Sequence, residues 1–262
     1  MVVRSRKSQI TAYMIIGILA VFLVAIAYLM MAPGGSSVGD EQRKMQIIME
    51  ERSIIESGVQ SCLDRITKEG VDHISRQGGY YNTKEPYESL FQYQVPYYFF
   101  KEEFFAPSIK VVQEELCEYV KNNIDYCMNY YEDQKKKGIT TGEGEKTCTA
   151  LFSDEDASVE LDNNVVLVKE DTSIKVQTVR AEVKTRLKKA HEIIRHNMML
   201  DMTVKPGTFC FTCLGEKLAE EGFKMHMERR DKGLMVFTVI DYKMKDTEQE
   251  LVYQFLINPE KV

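Results

Sequence analysis

Two cysteines in the stretch "PGTFCFTCLGEKLAEEG" have the residue type and spacing for chemistry. Cys210 and Cys213 stand just before a segment with the composition of a helix. A helix N-terminus favours a thiolate, which is the reactive form of cysteine. The pair is typical of a local structural disulfide, of a thiol-disulfide oxidoreductase, or of half a tetrahedral metal site. We favour the structural interpretation, because no second Cys-x-x-Cys and no thioredoxin-like arrangement of strands accompanies it.

A second motif, "HEIIRH", runs from His191 to His196. In a zinc-protease helix the two histidines are four residues apart, so that both rings reach one metal ion. Here they are five residues apart, which turns the rings about 140° from each other on a helix. The chain also lacks a glycine-rich phosphate loop and a nucleophile elbow. We therefore expect no metal, no cofactor and no catalytic residue beyond the weak redox candidates Cys210 and Cys213.

The cysteines are even in number, and all six follow the long apolar stretch near the N-terminus. In an oxidising compartment such a set forms disulfides. Cys117 and Cys127 lie on one predicted helix, about 15 Å apart, so they do not pair with each other. Their candidate partners are Cys148 and Cys62. The disulfide candidates are Cys62, Cys117, Cys127, Cys148, Cys210 and Cys213.

Aromatic residues are concentrated between Tyr80 and Phe105, where eleven occur. Within this segment the alternation of Phe91, Tyr93 and Val95 predicts one face of a strand. Aromatic clusters fill protein cores, and tyrosine also favours binding surfaces because its ring is apolar and its hydroxyl is polar. Both interpretations stay open. The binding-face candidates are Tyr93, Tyr97 and Tyr98.

The elements that must position these residues are helices and antiparallel strands. Apolar residues at helical spacing predict a long amphipathic helix over about 41–77. Val159 to Val168, with a turn at Asp162-Asn163-Asn164, predicts a hairpin. Strands from Phe223 to Ile257 predict an antiparallel meander. Together they predict an α+β fold with a mostly antiparallel sheet and several helices.

The N-terminal stretch predicts a membrane anchor. Residues 12–32 carry no charge and span about 30 Å as a helix, which matches the hydrocarbon core of a bilayer. Arg4, Arg6 and Lys7 precede the span, so the positive-inside rule places the N-terminus in the cytoplasm. The predicted organisation is a basic tail (1–11), a transmembrane helix (12–32), a linker (33–40) and an extracytoplasmic domain (41–262). A cleaved signal peptide is the alternative, but its apolar region is usually shorter.

The stretch "RKSQITAYMIIGILAVFLV" resembles archaeal class III signal sequences, in which the cut precedes a glutamine that begins the mature helix. Here that processing site is Ser8-Gln9. Together with "APSIKVVQEELCEYVKNNIDYC", the Gln-Ile-Thr start resembles a family of uncharacterised single-pass membrane proteins of small-genomed (DPANN-type) archaea. The resemblance covers most of the chain and implies a pilin-like N-terminus. It implies no activity.

The charge balance narrows the class of partner. The formal net charge is −6, and the three N-terminal cations offset part of a more acidic remainder. Such a surface repels nucleic acid, so we expect none as a partner. We expect a single-pass protein of the cell membrane that contacts lipid through 12–32 and binds other membrane or cell-surface proteins. Its expected role is interaction or surface assembly, and the alternative is a membrane-tethered thiol-disulfide oxidoreductase.

Overall fold

The structure is a computed structural model that describes residues 7–31, 37–127, 138–142, 144–204, 208–230, 233–244 and 250–258. The chain divides into two compact units, residues 1–49 and residues 50–262. In the described ranges, no helix combines the length and the apolarity that crossing a membrane requires. The side chains of α1 are described from 16 to 28, so those of Ser8 and Gln9 lie outside the described residues.

The described part contains five α-helices and one 3₁₀ turn. They are α1 (Lys7–Met31), α2 (Ser37–Arg76), α3 (Ile109–Asn123), the turn Ile124–Cys127, α4 (Leu187–Val204) and α5 (Phe211–Glu220). Ser108 caps α3, because its side chain accepts a hydrogen bond from the N–H of Val111 at 3.4 Å. Helix α2 was predicted over about 41–77. It begins four residues before the predicted start and ends one residue before the predicted end.

Twelve strands are described. They are β1 (Tyr87–Leu90), β2 (Tyr93–Phe100), β3 (Glu103–Phe104), β4 (Thr140–Gly142), β5 (Thr147–Phe152), β6 (Asp156–Asp162), β7 (Val166–Lys169), β8 (Thr172–Lys175), β9 (Val179–Lys184), β10 (Phe223–Arg229), β11 (Met235–Asp241) and β12 (Val252–Asn258).

These strands form three sheets. The largest has the order β1-β2-β12-β11-β10, with β3 paired to β2, and the smaller sheets are β4-β7-β8 and β5-β6-β9. Strands β2 and β12 run parallel, and the other described pairs are antiparallel. The predicted α+β fold with mostly antiparallel strands is confirmed, including the meander β10-β11-β12.

The core of the 50–262 unit is built on amphipathic spacing. In α2, Ile55, Val59, Cys62 and Ile66 recur every three or four residues and are all buried. At Gly70, α2 comes so close to α3 that an added Cβ would lie 2.8 Å from the Tyr119 ring. The main sheet contributes Phe237, Tyr253 and Phe255 to the same cluster. Helices and sheet therefore share one continuous hydrophobic core.

Two local predictions are wrong. Phe91 does not lie on a strand face with Tyr93 and Val95: it stands at the tip of the β1–β2 hairpin with φ of 56° and is fully exposed. The pairing of Leu90 with Tyr93 leaves two residues for the turn, and such turns require positive φ. Residues 159–168 do not form one hairpin either, because β6 pairs with β5 and β9 while β7 pairs with β4 and β8.

Candidate functional site

The three tyrosines predicted as a binding face do not form a single face. Tyr97 and Tyr98 are neighbours on β2, so their side chains leave the sheet on opposite faces. Tyr98 is fully buried in the main core, where its hydroxyl donates to the carbonyl of Gly78 at 2.8 Å. It belongs to the interior, which corrects its assignment to a binding face. Tyr97 lies on the other face, in a smaller cluster with Leu90 and Val95.

Tyr93 belongs to an aromatic group at the end of α2. Its ring centroid lies 5.9 Å from that of His73, and the guanidinium carbon of Arg76 lies 5.6 Å from the Tyr93 centroid. Tyr81 and Tyr119 complete the group, with ring centroids 5.2 Å apart. Burial lowers the pKa of His73, which favours its neutral form. Tyr93 is thus held against the end of α2, and it also packs against the smaller cluster that contains Tyr97.

A groove of about 680 Å³ opens beside Tyr97, between the start of β1 and the β2–β3 turn. We call it the aromatic groove. It is lined by Glu85, Pro86, Tyr87, Glu88, Tyr97, Phe100, Lys101, Glu103 and Phe105. Four rings and three carboxylates therefore face a space of the size that binds peptides and small ligands.

A hydrogen bond and contacts between aromatic rings hold the side chains that line the aromatic groove. The hydroxyl of Tyr97 donates to Glu88 Oε1 at 3.0 Å, and its ring centroid lies 4.8 Å from that of Phe100. Burial, and then the carboxylate of Glu88, raise the pKa of Tyr97 well above its usual value. Its hydroxyl therefore stays a donor that holds Glu88. The Lys101 ammonium lies 5.3 Å from the Phe100 centroid, a cation–π distance.

The "HEIIRH" histidines separate as the spacing predicts. His191 is fully buried, whereas His196 is exposed on the same helix, α4. His191 Nε2 donates to the carbonyl of Pro107 at 3.0 Å, and Nδ1 accepts from the Tyr253 hydroxyl at 2.7 Å. This tautomer is assigned from the partners, since a carbonyl only accepts. Tyr253 also contacts the Tyr98 hydroxyl. Among the residues that the structure describes, no group of three or more His, Cys, Asp or Glu side chains is placed to hold a metal ion.

The structure describes both cysteines of two disulfides, one between distant elements and one within a single turn. Cys117 on α3 is joined to Cys148 on β5, with Cα atoms 5.6 Å apart. Cys210 is joined to Cys213 across the start of α5, with Cα atoms 5.2 Å apart. Cys62 is also disulfide-bonded, and its Sγ lies 3.4 Å from the carbonyl oxygen of Ile124. The side chain of Cys127 lies outside the described residues.

Sequence reasoning missed most of the aromatic groove. Tyr87, Phe100 and Phe105 were part of the aromatic-rich segment, but their spacing follows no single strand face. Glu88 becomes a site residue only because the hairpin brings it opposite Val95, two residues from Tyr97. The available signal was the density of aromatic residues in 80–105 together with interspersed glutamates.

Comparison of the chain with protein-family models, with curated proteins and with solved structures finds no match.

Proposed function

We propose that this chain is a membrane-anchored, extracytoplasmic interaction or surface-assembly protein. Its 50–262 unit binds a basic segment of another membrane or cell-surface protein through the aromatic groove. The single observation that carries the binding part is the groove itself, which is lined by four aromatic rings and three carboxylates.

The anchoring part of the proposal is supported by the sequence. Residues 12–32 are uncharged and follow three cations, and this order favours a cytoplasmic N-terminus. A helix suits that segment because it satisfies its own backbone hydrogen bonds in lipid. Helix α1 covers most of it, and the large apolar side chains described there, from Ile16 to Ile26, are exposed. Burial of these side chains in lipid would remove that apolar surface from water.

The chemistry of the aromatic groove supports a basic partner segment. Glu85, Glu88 and Glu103 provide three negative charges, against the single positive charge of Lys101. A lysine or arginine side chain can lay its alkyl stem on the rings of Tyr87 and Phe100 while its charge meets a carboxylate. Such contacts are stronger when the ring floor excludes water on one side. The groove thus suits an extended, basic stretch of polypeptide better than an acidic one.

The binding part is tested with the full chain in lipid nanodiscs. The probe is a fluorescent nine-residue peptide with lysine at alternate positions, compared with the same peptide carrying glutamate. We expect the lysine peptide to bind and the double change Glu88→Gln with Glu103→Gln to weaken it by about fivefold or more. Glu160→Gln, on β6 of another sheet, is the matched control and should leave affinity unchanged. Equal affinity for both peptides, or an equal effect of the control, would contradict the proposal.

The assembly part is tested by sequencing the mature N-terminus. A first residue of Gln9 supports pilin-like processing, because the cut removes the cytoplasmic cations and keeps the apolar helix. A first residue of Met1 or Val2 supports a simple anchor that displays the 50–262 unit. A first residue of Tyr28 would contradict anchoring, since the apolar segment would then be removed.

A further inference from the structure

The Cys210–Cys213 disulfide differs from Cys117–Cys148 in its access to solvent. Cys117 is only 8% exposed, Cys148 is partly buried against the core, and their disulfide ties a core helix to a strand. Cys213 is exposed in the first turn of α5, and Cys210 is partly exposed directly before that helix. Thiol-disulfide exchange requires an attacking thiolate to reach a sulfur atom. Of these two disulfides, the one at α5 is the more open to such attack, because Cys213 is exposed whereas Cys117 is buried and Cys148 only partly exposed.

The two sulfur atoms of this disulfide are not equivalent. Cys210 Sγ accepts a hydrogen bond from the N–H of Cys213 at 3.3 Å, and the Thr212 hydroxyl lies 3.6 Å from it. Both groups can donate to a negatively charged sulfur, and the N-terminus of the ten-residue helix α5 favours that charge. A thiolate is therefore better stabilised at Cys210 than at Cys213. When the bond breaks, Cys210 is the better leaving group, and Cys213 is the sulfur that receives the attack.

Contacts other than the disulfide also hold this site in place. The N–H of Cys210 donates to Asp201 Oδ2 of α4 at 2.8 Å. On either side of Cys210, Phe209 packs on Phe99 and Phe211 packs on Phe237, with ring centroids 4.9 and 5.2 Å apart. None of these contacts involves a sulfur atom, so we expect the dithiol form to keep the same geometry. A crosslink between residues three apart closes a short loop, so it adds less stability than the Cys117–Cys148 crosslink between residues 31 apart.

We propose that the Cys210–Cys213 disulfide exchanges with cysteine thiols of a partner protein and accepts two electrons from a partner dithiol. This function is additional to the aromatic groove and does not rest on it. The partner is identified by its chemistry: two thiols close enough to join in a disulfide, on an accessible, extended segment.

The exchange balances in two steps. A partner thiolate attacks Cys213 Sγ, a new sulfur–sulfur bond forms, and the Cys213–Cys210 bond breaks with its electron pair passing to Cys210 Sγ. The second thiolate of the partner then attacks the partner sulfur that is bonded to Cys213. The partner disulfide forms, and Cys213 leaves as a thiolate. The partner has lost two electrons and two protons in becoming a disulfide. Cys210 and Cys213 have gained them as two thiols.

The test uses the full chain in detergent micelles at neutral pH. The probe is an unstructured peptide with two cysteines separated by four glycine or serine residues, supplied reduced. Mass spectrometry after thiol alkylation follows both molecules. We expect one peptide disulfide for each chain in which Cys210 and Cys213 become thiols, while Cys117–Cys148 stays oxidised. A peptide that stays reduced would overturn the proposal, as would reduction of Cys210–Cys213 only under denaturing conditions together with Cys117–Cys148.

Two conservative variants distinguish exchange from a passive crosslink. Thr212→Val removes one donor from Cys210 Sγ at an exposed position, and we expect exchange to slow by about threefold or more. Asp201→Asn keeps an acceptor for the Cys210 N–H but removes a nearby negative charge, and we expect faster exchange. Unchanged rates in both variants would overturn the assignment of Cys210 as leaving group and the proposal with it.

Discussion

Arg186 and Asp241 form a buried ion pair that joins the start of α4 to the end of β11. Arg186 Nη1 donates to Asp241 Oδ1 at 3.0 Å, and the Asp241 side chain is 0% exposed. Arg186 Nη2 donates to the carbonyl of Glu221 at 2.8 Å, and the guanidinium carbon lies 4.3 Å from the Phe223 centroid. The guanidinium is thus surrounded by partners that hold α4, α5 and the main sheet together.

Removing either member of this pair should strongly destabilise the fold. Arg186→Met leaves the Asp241 carboxylate buried without its cation, and we expect a loss of about 3–5 kcal/mol in the free energy of unfolding. Chemical unfolding of the full chain in detergent, followed by circular dichroism, measures it. The matched control is Lys184→Met, which breaks an exposed pair with Asp156 at 3.6 Å and should cost less than about 1 kcal/mol. Equal losses of stability in the two variants would contradict the prediction that the buried pair matters more to the fold than the exposed pair.

The buried imidazole of His191 predicts a fold that weakens in acid. Burial lowers the pKa of His191 to about 4, and the nearby positive charge of Arg195 acts in the same direction. The unfolded chain has the ordinary value near 6.5, so between about pH 6.5 and 4 only the unfolded state takes up this proton. Stability is therefore full above pH 6.5, and about 3 kcal/mol is lost as the pH falls to 4. Unfolding free energies measured across this range test the slope.

The control for the acid prediction is His191→Gln, which does not titrate. We expect this variant to be less stable at neutral pH but to show a smaller slope between pH 6.5 and 4. The remaining slope belongs partly to His73, whose pKa burial also lowers. Hydrogen bonds from Lys188 and Lys175 lower the pKa values of Asp154 and Asp162. These two carboxylates affect stability only at still lower pH, below their ordinary pKa of 3.8. An unchanged slope in His191→Gln would show that this imidazole does not determine the acid response.

Gly79, which follows α2, is expected to tolerate no side chain. Its φ is +89°, and an added Cβ would lie 2.8 Å from Val112 Cγ2 and 3.2 Å from Pro107 Cγ. Gly79→Ala should therefore cost about 2–4 kcal/mol from backbone strain and the clash together. Gly138 has φ of +72°, but among the residues that the structure describes no atom lies within 4 Å of an added Cβ. Gly138→Ala therefore measures the cost of backbone strain without a clash. Thermal unfolding should show a smaller loss of stability in Gly138→Ala than in Gly79→Ala. A larger loss in Gly138→Ala would contradict the close packing around Gly79.

Regular periodicity predicted the elements that depend on local pattern. The three- and four-residue steps from Ile55 to Ile66 predicted α2, and alternation predicted the meander of β10 to β12. The hairpin at 159–168 failed because alternation identifies strands but does not choose their partners: β6 forms a hairpin with the preceding β5, and β7 forms one with the following β8. Phe91 failed because a two-residue turn interrupts an otherwise strand-like run, and its aromatic type gave no turn signal.

The aromatic groove was predictable only in part. Strand β2 is buried on both faces, so the sequence gives no way to decide whether Tyr97 or Tyr98 meets the core. That choice depends on the parallel pairing of β2 with β12 near the C-terminus. The position of Cys210 and Cys213 before a helix followed from local composition alone, whereas the contact of Cys210 with Asp201 required the tertiary fold.

The proposed orientation is tested most directly by determining on which side of the membrane the 50–262 unit lies. Intact cells expressing the full chain are treated with a membrane-impermeant reductant and then with a membrane-impermeant maleimide. We predict labelling of Cys210 and Cys213 in intact cells, while a cysteine introduced in the N-terminal tail by Ser5→Cys is labelled only after lysis. Labelling of Cys210 and Cys213 only after lysis, with the tail cysteine labelled in intact cells, would contradict the proposed orientation.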